Sequence, residues 1–348
     1  MVLPFRRNEA EAACAYALYG KLPNRADFVR VNAHHSAIVG FDDLIQRTLE
    51  RLTLNQGWAE SYDRCGPSSF QLESGDLRHT LVGVIAPSRD QAGRRYPLMA
   101  AAISPSELLA GQANVAPIAN EVFFDGLRDQ VCNAIENSVE ALSCKQFLES
   151  QSHINDLAAS DLELAASVVS RFLSTTPITR LGDLLREEGQ GDLEQALLNL
   201  AFYRAFLRRF DNVATNQIIV LPLPQANGEQ ALIACAWLSV IEALFSRDSS
   251  GTAWRGNYAM LRTGQGKMVL LTCFNNRMHD KFAMLMLGGV PDPSMVLDLR
   301  NEHEAWKNHR LYSEVSYALA RLLGNRTLSI KDLCQFLQDV GQRLKETI

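Results

Sequence analysis

The residues best able to do chemistry gather in two short polar stretches. One runs Gly20-Lys21-Leu22-Pro23-Asn24-Arg25-Ala26-Asp27-Phe28-Val29-Arg30. The other runs Gly83-Val84-Ile85-Ala86-Pro87-Ser88-Arg89-Asp90-Gln91-Ala92-Gly93-Arg94-Arg95-Tyr96-Pro97-Leu98. The second sets a hydroxyl, Ser88, beside an acid, Asp90, and three guanidinium groups, Arg89, Arg94 and Arg95. Asp90 can cap its own loop or pair with Arg94 or Arg95. Gly93 permits a positive φ, and Pro97 is tolerated where a strand opens. Two readings stay open on the residues alone. The loop is either an exposed basic recognition loop on a rigid sheet or a structural loop that satisfies its own charges.

Other chemistries fit poorly. Gly20-Lys21 lacks the first glycine and the Ser/Thr of a phosphate-binding loop. Ser88, Asp90 and His79 are triad residue types, but no Gly-x-Ser-x-Gly elbow is present. An extended strand would hold His79 roughly 26 Å from Ser88. The seven cysteines are scattered with no Cys-x-x-Cys pair. They read as small buried hydrophobes of a reducing compartment rather than zinc ligands. His34-His35 reads as a loop, and the acidic pairs Asp161/Glu163 and Glu187-Glu188 as solvated helix faces. Phe202, Phe206 and Phe210, at i, i+4 and i+8, read as core. No cofactor or metal site is expected.

The chain that must position these residues has 348 residues, 47% hydrophobic and 21% charged, with a net charge of −5. Such a composition excludes whole-chain disorder. The weakly acidic balance disfavours a nucleic-acid partner. No run of 18 apolar residues is present, so membrane insertion is not expected. Arg6 and Arg7 precede an apolar stretch, but Glu9 and Glu11 interrupt it, unlike a secretory signal.

Hydrophobic periodicity organises the rest. Strands are expected at 12–19, 69–73, 79–86 and 96–103, and a helix at 41–52. Residues 120–150 carry Val122, Phe123, Leu127, Val131, Ile135, Val139 and Leu142 on one helical stripe. Helices follow at 161–173, 181–186 and 193–210. Then come a strand at 217–223, an apolar helix at 231–245, and three strands at 257–262, 267–274 and 281–287. Two helices close the chain, at 309–323 and after Ser329, where Ser329 and Asp332 form a capping-box variant. The fold class is α/β (α+β): a mixed or antiparallel sheet flanked by helices over 1–115, a helical block over 116–212, and a second α/β portion over 213–348. Trp58/Tyr62 and Trp254/Tyr258, each ahead of a strand-turn-strand rhythm, hint at duplication. The corresponding polar loops would be 87–95 and 275–280.

Tyr19 to Val29 resembles the opening motif of the TagF (ImpM) family, accessory proteins of the bacterial type VI secretion system. Trp58-Ala59-Glu60-Ser61-Tyr62 and Ser69-Phe70-Gln71-Leu72 are similar to the family's central Trp-x-x-x-Tyr and the strand after it. Residues 83–98 are similar to its Pro-Ser-x-Asp, Gly-Arg and Pro-Leu signature. The resemblance covers about residues 17–105. Ala26 stands where the family usually has Gly, Arg89 where it usually has Val, and the usual Arg-Gly-Leu-Pro after the first motif is replaced by Arg30-Val31-Asn32-Ala33. The resemblance implies a cytoplasmic, non-enzymatic, post-translational repressor that binds a forkhead-associated (Fha) scaffold protein. It carries no metal-binding Asp pattern of the phosphatase fused to some relatives. Partner contact would fall to Lys21, Asn24, Arg25, Asp27, Ser88, Arg89, Asp90, Arg94 and Arg95. Gly20, Pro23, Phe28, Trp58, Tyr62, Gly83, Pro87, Gly93 and Pro97 would hold the motifs in shape. The alternatives are an assembly scaffold without repression and a hydrolase using Ser88 or Asp90.

Overall fold

Successive residues of the central strands pack into two different core clusters, and this sets the architecture. In β5 (Leu98–Pro105), Leu98, Ala100 and Ala102 join one core cluster, while Met99, Ala101 and Ile103 join another. In β4 (His79–Ala86), Val82, Val84 and Ala86 face the first cluster and Leu81 and Ile85 the second. A strand covered on both faces needs helices above and below. The computed structural model describes residues 15–75, 77–109, 111–137, 142–150, 159–209, 217–245, 254, 256–274, 279–290 and 292–346. Those residues form a three-layer arrangement around a single sheet.

The sheet has eight strands. Besides β4 and β5 they are β1 (Ala15–Gly20), β2 (Val29–Val31), β3 (Ser68–Glu73), β6 (Ile219–Pro222), β7 (Tyr258–Arg262) and β8 (Met268–Thr272). Their order is β2-β1-β5-β4-β3-β7-β8-β6, with antiparallel pairing throughout. Strands from the first and last thirds of the chain therefore share one ladder. The join is β3 on β7, with Phe70 opposite Ala259.

One face carries α1 (Ser36–Leu52), α2 (Trp58–Arg64) and α11 (His279–Met286). The other carries α5 (Glu121–Glu136), α6 (Leu142–Ser150), α8 (Thr179–Glu187), α9 (Leu193–Arg209), α10 (Asn227–Phe245), α13 (Tyr312–Leu323) and α14 (Ile330–Glu346), with α7 (Ala159–Thr175) packed outside α10. Short helices α3 (Ser106–Leu109), α4 (Ala116–Ala119) and α12 (Glu304–Lys307) and a 3-10 turn at Pro293–Met295 complete the set among the described residues. Helix α10 is long and apolar enough to cross a membrane, yet residues 233–238 are all fully buried. It is the central core helix, and Trp237 Nε1 donates to Pro222 O at 3.0 Å.

Several expectations are corrected. Residues 281–286 form a helix, not a strand, and Leu287 lies in the turn after it. The run contains no β-branched residue and is rich in helix formers. Phe282, Ala283 and Met286 pack on α1 at helical spacing. Helix α1 begins at Ser36 because His35 caps it, with Nδ1 accepting from the Ala37 N–H at 3.2 Å. Imidazole is outside the usual cap set. Val122 is 86% exposed and Leu142 52% exposed. The inward stripe of α5 is Phe123, Phe124, Leu127, Val131 and Ala134. The strand expected over 96–103 starts two residues later, leaving Tyr96 and Pro97 to the loop. The two Trp-x-x-x-Tyr stretches sit differently: Trp58 and Tyr62 are on a helix, while Tyr258 is on a strand. The Ser329/Asp332 cap forms as expected, Ser329 N–H donating to Asp332 Oδ2 at 2.8 Å and Asp332 N–H to Ser329 Oγ at 3.3 Å. Phe202 is buried against Tyr312, and Phe206 packs on Trp306. Residues 1–14, Val139, Phe210 and 275–278, where other expectations fell, lie outside the described residues.

Candidate functional site

The two polar stretches meet because of strand order. β1 and β4 both flank β5, with Tyr19 opposite Met99 and Ala86 opposite Leu98. The segment after β1 and the segment before β5 therefore leave the sheet at the same end. Gly20 makes this approach possible, since a Cβ there would stand 2.1 Å from Pro97 O, and φ is +139°. Gly83 answers the same demand one strand over, where a Cβ would lie 2.2 Å from Ala100 O.

Asp90 is the hub. Its residue is 2% exposed. Oδ2 takes the Lys21 ammonium at 2.9 Å and the Arg94 Nε–H at 2.7 Å. Oδ1 accepts the backbone N–H groups of Ala92 at 3.0 Å and Arg94 at 2.9 Å. The Lys21 ammonium first, and Arg94 after it, hold the Asp90 carboxyl well below the usual carboxylate range despite its burial. A buried carboxylate needs such partners, because charge withdrawn from water is costly unless paired and hydrogen-bonded. Gly93, at φ +81°, closes the turn, and its N–H reaches Asp90 O at 2.9 Å.

Tyr62 on α2 anchors the same loop from the side. Its hydroxyl accepts the Ser88 N–H and donates to Ser88 O, both at 3.1 Å. Burial pushes the Tyr62 phenol above its ordinary value. Ser88 Oγ donates to Lys21 O at 2.7 Å, tying loop to loop. Two further ties are the Gln91 N–H to Arg25 O at 2.9 Å and Arg94 Nη2 to Ala26 O at 3.1 Å. Beneath them Tyr19, Phe28 and Tyr96 pack ring to ring, with Phe28 and Tyr96 centroids 4.8 Å apart. The Tyr96 hydroxyl donates to Asp42 of α1. Burial, followed by Asp42, pushes the Tyr19 phenol up to about 12.

At the rim, Arg95 grips Asp63 through two bonds, Nε to Oδ1 at 2.9 Å and Nη2 to Oδ2 at 2.6 Å. That bidentate pair holds the Asp63 carboxyl below its ordinary value. The same guanidinium lies 5.6 Å from the Trp58 ring centroid.

The nine residues expected on a binding surface thus divide into two layers. Lys21, Ser88 and Asp90 lie beneath the surface, at 7%, 5% and 2% exposure. Asp90 pairs with Lys21 from 69 residues away, and because both are withdrawn from water each needs the other's charge. Asn24, Arg25, Asp27, Arg89 and Arg94 are exposed, and Arg95 is half-buried. Pro97 and Tyr62 are buried, whereas Pro23, Phe28, Trp58 and Pro87 are half-buried. Sequence reasoning missed Asp42, Asp63 and the surface role of Arg30. No local spacing marks the two acids, since each finds its partner across the fold. The Arg30 guanidinium lies 5.6 Å from the Phe28 ring. His79 is far from this cluster in the chain's path, its ring 4.6 Å from that of His35 at the start of α1.

A separate cleft of about 280 Å³ opens between α5 and the start of α10. Glu121, Phe124, Asp125, Arg128 and Met260 line it. Arg128 is already engaged there, by Asp125 at 2.7 Å and Ser69 Oγ at 2.9 Å.

Comparison with known proteins bears on the first of these sites. Residues 17–151 match the family model of the TagF N-terminal domain, described as type VI secretion system-associated. Among solved structures, the chain is similar to PA0076 from Pseudomonas aeruginosa PAO1, with 23% identity and a TM-score of 0.32. That match covers 38% of this chain and 60% of the other. No curated protein matches the chain.

Proposed function

We propose, from the match of residues 17–151 to the TagF N-terminal domain, that the chain is a post-translational negative regulator of the type VI secretion system. It acts in the cytoplasm by binding, not catalysis, and holds a forkhead-associated scaffold component away from the assembling machine. The observation that supports this reading is the double layer at residues 20–30 and 87–97. A buried lock of Lys21, Ser88, Asp90 and Tyr62 fixes an outer rim of polar and cationic side chains. Loop backbone held in place before binding need not be ordered on association.

Deletion of the gene, with secreted effector measured in the medium, tests the proposal. Secretion rises if the chain represses. A fall supports the scaffold alternative instead. For the hydrolase alternative, Ser88→Ala is the discriminating variant. Ser88 Oγ donates to Lys21 O, so full repression by a folded Ser88→Ala protein removes any catalytic role for that hydroxyl. Pull-down from a lysate carrying the secretion system identifies the partner, and recovery without a forkhead-associated protein overturns the sequestration mechanism.

A further inference from the structure

We propose that the outer rim, formed by Arg25, Arg30, Arg89 and Arg94, docks a carboxylate-rich segment of the partner protein. The inference rests on the binding role proposed above and specifies its chemistry.

The four residues stand on two loops and a strand that are tied to one another. The backbone of residue 25 is bonded to residue 91, and Arg94 reaches Ala26 O. Arg30 projects from β2 over Phe28, the ring that also packs on Tyr96. Arg89 bridges to residue 95 across the same loop. All four are exposed. Among the described residues, no carboxylate forms an ion pair with Arg25, Arg30 or Arg89. Arg94 uses one edge on Asp90 and keeps its side chain 65% exposed. With Asp27, Asp42, Asp63 and Asp90 set against Lys21, Arg25, Arg30, Arg89, Arg94 and Arg95, the two loops and β2 keep a surplus of two positive charges, on a chain whose net charge is −5. Like charges held together on a rigid surface repel, and an anionic partner relieves that repulsion.

The backbone argues for dispersed carboxylates rather than one phosphate group. A phosphate is best held by convergent donors, typically a nest of backbone N–H groups with an arginine fork. Here the N–H groups of Ala92, Gly93 and Arg94 all turn inward to Asp90. What faces outward is a set of separate single charges on two loops and a strand. Separate Asp or Glu side chains along a segment match that spread.

The test is fluorescence anisotropy with the full chain and a capped, labelled peptide of alternating Glu and Ser. Its Gln-for-Glu counterpart, a phosphoserine peptide of equal charge and a short single-stranded oligonucleotide serve as comparison probes. The Glu peptide binds and the Gln peptide does not. Arg25→Glu combined with Arg89→Glu weakens binding about tenfold or more, as expected for charges that set complementarity. Raising salt weakens it as well. Both residues are exposed, and an unchanged melting temperature in the variant confirms that the fold is intact. Binding that survives the double reversal, tighter binding of the phosphopeptide or oligonucleotide, or no binding of the Glu peptide overturns the proposal. Secretion separates this failure from failure of the repressor reading. If the double variant represses as well as the parent, repression stands and the rim is not the docking face. If deletion leaves secretion unchanged while the Glu peptide still depends on Arg25 and Arg89, the rim stands and repression falls.

Discussion

Tyr62→Phe removes a single oxygen atom, and the geometry around it sets the size of the effect. The hydroxyl makes two bonds to the backbone of Ser88, one accepting from N–H and one donating to C=O, both at 3.1 Å. Ser88 O keeps a second donor after the change, the Tyr96 N–H at 3.0 Å. The Ser88 N–H keeps none and stays buried, since Tyr62 is 1% and Ser88 5% exposed. Phenylalanine fills the same space, so no side-chain-sized cavity opens. The cost is therefore that of one orphaned buried donor plus one lost bond, about 2 kcal/mol. Unfolding entropy grows by about 2.1 cal/mol/K per residue, so a chain of this length should melt about 3 °C lower. If the loss is local, the Ser88 amide should exchange with deuterium about 30-fold faster, the factor that corresponds to about 2 kcal/mol. Calorimetry and exchange with mass spectrometry measure the two. A Tyr62→Phe protein with unchanged melting and unchanged protection at residue 88 refutes the view that α2 anchors this loop.

Glycine substitutions separate close approach from turn geometry. Gly20→Ala drives a Cβ to 2.1 Å from backbone oxygen and should abolish soluble expression or lower stability by about 3 kcal/mol, at the upper end of overpacking effects. Gly93→Ala meets open space and bears only left-handed strain, about 1 kcal/mol, which urea titration resolves from the first. The Asp90 carboxyl titrates below its unfolded value of about 3.9, so its contribution is fully present above that value and is lost as pH falls toward the depressed folded one. Exchange protection of residues 90–94 should therefore hold from pH 7 to pH 5 and collapse only in stronger acid, and Asp90→Asn should remove that acid step. Burial pushes the Cys144 thiol up to about 11 and the Cys235 thiol up to about 12, so neither should react with a thiol reagent at pH 8 until denaturant is added, as peptide mapping of the labelled sites will show.

Some of the architecture was legible residue by residue. β4 is the clearest case, its limits at His79 and Ala86 readable from an apolar run bounded by a turn and by Pro87. The cap at Ser329 was legible for the same reason, because both partners lie within one helical turn. Residues 281–287 were not, because a short apolar run has no decisive period and its surroundings, here the face of α1, choose between helix and strand. Val122 misled because it neighbours Phe123 in sequence, though a step of one residue turns a helix by about 100° and puts it in water.

The candidate site shows the same division more sharply. The sequence by itself determined that two polar loops would flank buried strands, and that glycine and proline would shape them, since backbone freedom and strand periodicity are properties of the local chain. It also determined which cations were available. Only the tertiary structure decided that Asp90 would lie buried with Lys21 from 69 residues away, leaving Arg25, Arg30 and Arg89 at the surface. It likewise decided that β3 would pair with β7 and join the two ends of the chain in one sheet. Charges and strand edges have no fixed partner along a sequence. They are paired by whichever groups folding brings within a few ångströms, and by how much water it takes away.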